Sequence, residues 1–269
     1  MEDNAELYRN NLIYSSLIHD GDWKKIYDDL VNRRVTYPPQ DIERAIKKLK
    51  CKALTILDVE YPSELKQACQ PPFVLFYYGN IDLIRDISNI VGVVGSREYS
   101  SYGEKITRGI VKELSSKYII ISGMAKGIDH ISHDQTIRSG GKTIAIMCTG
   151  IDKVYPASSL DIYNEMKQNH LVMSEYPGRV APPLEQFPFR NRIIAALSRC
   201  LIVTEAYSHS GTSITASYAL NMGKDVYCVP YHSDENSFCN TLINLGAELI
   251  ENPKQLLEDI ELDHNLKKI

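Results

Sequence analysis

Apolar residues recur every three or four positions through the first fifty residues: Leu7, Leu12, Ile13 and Leu17, then Trp23, Ile26, Tyr27 and Leu30, then Ile42, Ile46 and Leu49. That spacing lines one face of a helix and predicts three short amphipathic segments. His19-Asp20-Gly21-Asp22 and Tyr37-Pro38-Pro39 interrupt them as turns, and Asp41 is placed to cap the third helix. Residues 51–89 are mixed, with Tyr61-Pro62, Pro71-Pro72, a strand-like run from Phe73 and a turn at Gly79-Asn80. Beyond them the period changes. Short β-branched runs start at Ile90, Tyr118, Thr143, Leu171, Leu201 and Val226, separated by stretches of helical length. Apolar on both faces, these runs predict buried parallel strands. The expected fold class is α/β: an extended Rossmann-like, mostly parallel sheet with helices on both faces, plus a small N-terminal helical domain. The expected boundaries are 1–54 for the helical domain, 55–262 for the Rossmann-like domain and 263–269 for a short tail.

In such a sheet, ligands bind beyond the carboxyl ends of the strands, so the loops after each run carry the candidate chemistry. The first, Val91 to Gly103, has Gly95 for a tight turn, then Ser96 and Arg97, then a helix expected near Ser101 or Tyr102. A glycine turn, a helix start and a guanidinium together suit a phosphate, although a tight turn with a solvated arginine has the same sequence. The G-x-G-x-x-G fingerprint is missing, which argues against a nicotinamide cofactor, and no cofactor is expected. The second loop begins Ser122-Gly123 and projects Lys126 ahead of Gly127. Its His130, His133 and Asp134 have helical spacing but no further ligand, so they read as a helix face and no metal is expected.

The third loop, Thr149 to Pro156, presents Lys153 and Tyr155, a cation and a ring, unless it is a plain surface turn. The fourth interleaves Phe187 and Phe189 with Arg190, Asn191 and Arg192 ahead of an apolar helix. Basic residues among aromatics suit a groove for an unpaired nucleic-acid strand, and a charged helix cap over a packed ring gives the same pattern. In the fifth, Ser210, Gly211 and Thr212 open another helix able to hold an anion. Glu205 just before them suits either a sugar hydroxyl or local backbone. No loop decides the matter alone; their shared place on one rim does.

Composition trims the alternatives. Lys and Arg number 30 against 34 Asp and Glu, a net charge of −4, which disfavours a polyanion partner unless cations gather locally. The 6 cysteines show no metal spacing, and Cys148, Cys200 and Cys228, in or beside apolar runs, read as small buried apolar residues of a reducing, cytoplasmic compartment. No apolar run reaches the roughly 18 residues of a membrane span, so no membrane partner is expected.

The segments VGSREYSSYG, SGMAKGID, TGIDKVYP, SEYP, FPFRNRIIAALS, SGTSITA and NTLINLGA follow one another in the order and spacing of the DprA/Smf family, which this chain resembles over residues 55–250. The resemblance implies a single-stranded-DNA-binding Rossmann-like domain and a homodimer that loads the RecA recombinase and protects incoming DNA in natural transformation. It implies no catalysis. It places Gly95, Ser96, Arg97, Lys153 and Arg190-Asn191-Arg192 in the strand pocket. The winged-helix-like C-terminal domain of many members is expected to be absent, since few residues follow the matched portion. Two other readings remain open: a nucleotide or nucleotide-sugar hydrolase using Glu205 or Asp129, and a nucleotide-ligand sensor.

Overall fold

The β-branched runs become the middle of one mixed sheet. The computed structural model describes residues 2–32, 37–208, 210–232 and 237–266, the side chains of 2–4 and 263–266 apart. Three helices lead: α1 (Glu2–Ile18), α2 (Trp23–Val31) and α3 (Pro39–Lys47). Then come β1 (Lys52–Thr55), α4 (Ser63–Lys66), β2 (Val74–Gly79), β3 (Ile90–Val94) and α5 (Ser101–Leu114). The chain continues through β4 (Ile119–Ser122), α6 (Ile128–Arg138), β5 (Thr143–Ile146), α7 (Leu160–Asn169) and β6 (Leu171–Ser174). It closes with α8 (Asn191–Ala196), β7 (Cys200–Val203), α9 (Gly211–Asn221), β8 (Asp225–Cys228), α10 (Phe238–Asn244), β9 (Glu248–Leu249) and α11 (Pro253–Leu266).

Among the described residues the strand order is β1-β2-β6-β5-β4-β3-β7-β8-β9. From β6 to β9 every pairing is parallel, and the two antiparallel pairings, β1 with β2 and β2 with β6, sit at one edge. Successive residues of a strand face opposite sides. Thus Ile90 and Val94 pack with the layer of α4, α8, α9 and α10, while Val91 and Val93 pack with α5, α6 and α11. The expected α/β class with helices on both faces is the class observed.

The N-terminal helices are part of this body. Leu12 and Ile13 of α1 and Ile26 of α2 are buried with Val74, Phe76, Met147 and Val172, directly on the sheet. Trp23 stacks on Phe73 at 5.2 Å and donates from Nε1 to the Pro71 carbonyl. The expected junction at 54/55 falls inside β1, and the one at 262/263 inside α11; residues 267–269 lie outside the described residues. Asp41 does not cap α3. The helix starts two residues earlier at Pro39, whose preset φ and missing N–H suit a first turn, and Asp41 stands in that turn as a charge complementing the dipole.

In α6, the three residues weighed as metal ligands go separate ways. His130 Nδ1 lies 3.3 Å from Ser159 Oγ, and Asp134 pairs with Arg108 and Arg138, both at 2.8 Å. His133 is fully buried with Nδ1 2.7 Å from Thr143 Oγ1. Burial above all, helped by the neighbouring His130, His170 and Arg190, pushes its pKa down to about 3.

Two outcomes follow. Ile13→Ala should lower the stability of the whole chain by about 2–5 kcal/mol in one cooperative transition, because it opens a cavity in a core shared with the sheet; urea unfolding followed by circular dichroism checks this, and a separate early transition of α1–α3 would contradict it. His133 stays neutral when folded, whereas the unfolded chain takes up a proton below its ordinary value of 6.5. Stability should therefore fall by up to about 1.4 kcal/mol per pH unit as the pH drops from 6.5 towards 3, and His133→Gln should flatten that slope in a pH series of denaturant midpoints.

Candidate functional site

Strand order reverses at β3, which has β4 on one side and β7 on the other, so the loops leaving β3 and β7 part above the sheet and leave a crevice. Ser96 spans it. Its N–H donates to the Glu205 carbonyl at 2.7 Å, across to the β7 loop, and its carbonyl accepts from Ile128 N–H at 3.1 Å, at the start of α6. The Ser96 hydroxyl is engaged with the Glu98 backbone, so it shapes the loop.

Above these bridges lies a hollow of about 540 Å³. Gly95, Ser96, Arg97 and Glu98 line it from the β3 loop, Ala125 and Asp129 from the β4 side, and Tyr155 from the loop after β5. Segment 184–194 adds Leu184, Phe187, Pro188, Arg190, Asn191 and Ile194; the β7 side adds Tyr207, Ser210, Gly211, Thr212 and Thr215. Ten of the expected contact residues are thereby brought together.

Their environments differ. Arg97 stands exposed at the mouth. Arg190 is buried, donating to the carbonyls of Gly123 (2.6 Å) and Ile146, with Nε on Asn191 Oδ1 at 3.1 Å. Burial lowers its pKa, and the nearby Cys148 and Asp129 oppose that shift. Asn191 reaches across to the Gly211 carbonyl at 3.1 Å, tying this segment to the start of α9. The Ser210 hydroxyl precedes α9 and is buried with no hydrogen-bond partner among the described residues. Tyr155 meets Phe187 edge-on at 5.5 Å, forming an aromatic wall. Burial raises the pKa of Asp129, with Arg190, the Ala125 N–H, Ser122 and Arg97 pulling the other way.

Five expected contacts lie outside this lining. Ser122 is fully buried and donates to the Val93 carbonyl at 2.7 Å, so it joins β4 to β3. Gly123 serves through the absence of a side chain: a Cβ there would come 2.3 Å from Arg190 Nη2. Lys126 is exposed and Lys153 half-buried, both off the hollow. Arg192 is the clearest correction. It is fully buried and forms a two-pronged ion pair with Glu175 at 2.7 and 2.6 Å, donates to the Gln70 carbonyl at 2.9 Å and covers the Phe189 ring. Glu205 is also committed: both its oxygens accept from Ser100 N–H, at 3.1 and 3.0 Å, and Oε1 accepts from the Tyr207 hydroxyl at 3.0 Å.

Arg97 and Arg190 are thus the cations of the hollow, and Glu98 and Asp129 its acids. Formal charge cancels, leaving the helix starts at Ile128 and Gly211 to tip the field towards anions. Thr215 and Tyr207 carried no warning in the sequence except their nearness to glycine-rich strand ends, and Asp129 stands out there only as a candidate acid or base.

The family model for DNA recombination-mediator protein A matches residues 52–261. The DNA processing protein DprA of Streptococcus pneumoniae (strain ATCC BAA-255 / R6) is 39% identical over 214 residues, covering 79% of this chain and 75% of that protein. The X-ray structure of DNA processing protein A from the same species superposes with a TM-score of 0.75 at 32% identity, covering 95% of this chain and 97% of the other. A structure of DNA processing protein A from Helicobacter pylori, solved for its single-stranded DNA binding mode, gives a TM-score of 0.73 at 26% identity over 80% of this chain and 98% of its own.

Arg192→Ala should cost about 3–5 kcal/mol of stability, because it strands the buried Glu175 carboxylate. Arg97→Ala, at an exposed position, should stay within about 0.5 kcal/mol. Guanidinium unfolding of both variants checks this, and equal small effects would return Arg192 to the rim.

Proposed function

From the premise that the chain belongs to the DNA recombination-mediator protein A family, and is thus a DNA-processing protein, we propose that it binds single-stranded DNA at the β3/β7 hollow as a recombination mediator. In this reading it protects incoming DNA in natural transformation and hands it to the RecA recombinase, acting as a cytoplasmic homodimer without covalent chemistry. The observation that carries the reading is the convergence of Arg97, Arg190 and the α9 start on one hollow beside the Tyr155–Phe187 wall, at the switch point of the sheet. The Helicobacter relative of similar fold, whose single-stranded DNA binding mode has been described, supports it.

The residues divide the work. Arg97 meets a phosphate at the mouth, and the N–H groups around Gly211 and Thr212, with the Ser210 hydroxyl, meet another oxygen group inside. Arg190 holds the Gly123 and Ile146 carbonyls and so keeps the floor of the hollow in shape while adding positive potential. Tyr155 and Phe187 offer rings to the bases, a contact that tolerates any sequence. One hollow of this size takes few nucleotides. Two in a dimer would raise affinity for longer strands through effective concentration. Among the described residues no helix is long and apolar enough to cross a membrane.

The hydrolase reading loses Glu205 to the backbone of Ser100. The sensor reading draws on the volume, which lies in the range of small-ligand pockets. A calorimetric oligo-dT length series beside thymidine monophosphate separates them. Affinity should climb with length, and Arg97→Ala should weaken binding and lower the log–log salt slope by about 0.7, the share of one phosphate. Tight saturable binding of the mononucleotide without length dependence would favour the sensor, and unchanged dT affinity in Arg97→Ala would remove the hollow from the strand path.

A further inference from the structure

Glu205 has a consequence beyond capping. Buried to 1% exposure at the end of β7, its carboxylate organises two neighbouring loops at once. It holds the Ser100 N–H and hydroxyl just ahead of α5 and the Tyr207 hydroxyl on its own loop. Gly103 permits this, since a Cβ there would lie 1.7 Å from Glu205 Oε2. Tyr102, in the first turn of α5, meets Tyr231 edge-on at 5.3 Å and 89°, and the Tyr231 hydroxyl donates to the Thr204 carbonyl at 3.1 Å. Tyr207 is thereby anchored on the Glu205 carboxylate and Tyr102 rests on the Tyr231 ring, while 47% of Tyr207 and 48% of Tyr102 stay exposed. Tyr207 is itself part of the hollow's lining, on the loop after β7, whereas Tyr155 enters from the loop after β5. A ring anchored by its hydroxyl yet left open to solvent contributes little to the core and presents a π-face at low entropic cost.

We propose that Tyr207, held by Glu205, and Tyr102, held against Tyr231, form a second stacking ledge that takes nucleobases of an unpaired strand leaving the hollow on its β7 side. The ledge deepens the strand-binding reading and rests on it: phosphates engage the arginines and helix starts, and bases on either side of the hollow lie on Tyr155–Phe187 and on Tyr207–Tyr102. Glu205 is then a positioning residue, and the ligand class of the ledge is the nucleobase itself, without preference among the four.

Stacking and phosphate contacts separate experimentally, because only the latter release counterions. The test is fluorescence-anisotropy titration of native protein, Tyr207→Leu, Tyr102→Leu, Tyr207→Phe and Arg97→Ala with a dT oligomer and with an abasic oligomer of equal length, over a range of salt. Both leucine variants should lose roughly 5- to 150-fold in affinity for dT, the range of one lost stacked base, with the salt slope unchanged and no loss for the abasic strand. Tyr207→Phe, which keeps the ring but gives up its hydrogen bond to Glu205, should fall between the native protein and Tyr207→Leu. Thermal unfolding of each variant confirms that the fold survives. Native affinity for dT in both leucine variants, with Arg97→Ala weakened, overturns the ledge and leaves the hollow standing. So does an equal loss on dT and abasic strands. If the native protein itself shows no length-dependent binding to dT, the strand-binding reading falls and takes the ledge with it.

Discussion

Ser96 meets a demand that parallel sheets impose wherever strand order reverses. The loops on either side of the reversal must separate, yet their backbone groups still need partners. One residue satisfies both sides, donating to the Glu205 carbonyl on the β7 loop and accepting from Ile128 at the head of α6. The hollow is the space above that double tether. Arg97 follows Ser96 directly, Asp129 follows Ile128, and Tyr207 and Ser210 follow Glu205, so each wall is referred to the same point. Asn191, reaching to Gly211, fixes the remaining wall to it.

Electrostatics inside the hollow is a matter of placement rather than quantity. A chain of net charge −4 brings two arginines and two carboxylates to the site. Burial raises the pKa of Asp129 and lowers that of Arg190, so it disfavours both buried charges, whereas Arg97 stays in water at the mouth. Backbone N–H groups at helix starts then supply a field that a tally of side chains omits. An acidic protein can therefore carry a crevice whose local field differs in sign from its net charge.

How much the sequence foretold varies with the physics involved. Runs apolar on both faces announced the parallel strands, since only a doubly covered sheet tolerates them, and strand-end glycines announced the rim. Side-chain direction was harder. Arg190 and Arg192 are two residues apart and look equivalent in FPFRNRIIAALS, but one enters the floor of the hollow and the other turns to Glu175. Nothing local separates them; the partner acid sits 17 positions upstream in SEYP and becomes informative only when β6 brings it near. The contributions of Tyr207 and Asp129 depend in the same way on packing between elements, and the cap expected from Asp41 gave way to a proline that starts its helix earlier.

The packing of α1 and α2 on β2 and β6 also bears on how the chain can be divided. Leu12, Ile13 and Ile26 cover Val74, Phe76 and Val172, residues that belong to the sheet by sequence and by pairing. A fragment beginning at β1 would keep every loop of the hollow but bare one side of its antiparallel edge, turning a covered face into a sticky one. The front of the chain is therefore a lining for the half that carries the hollow, and recombining it with an unrelated Rossmann sheet would require a matching apolar footprint on the recipient.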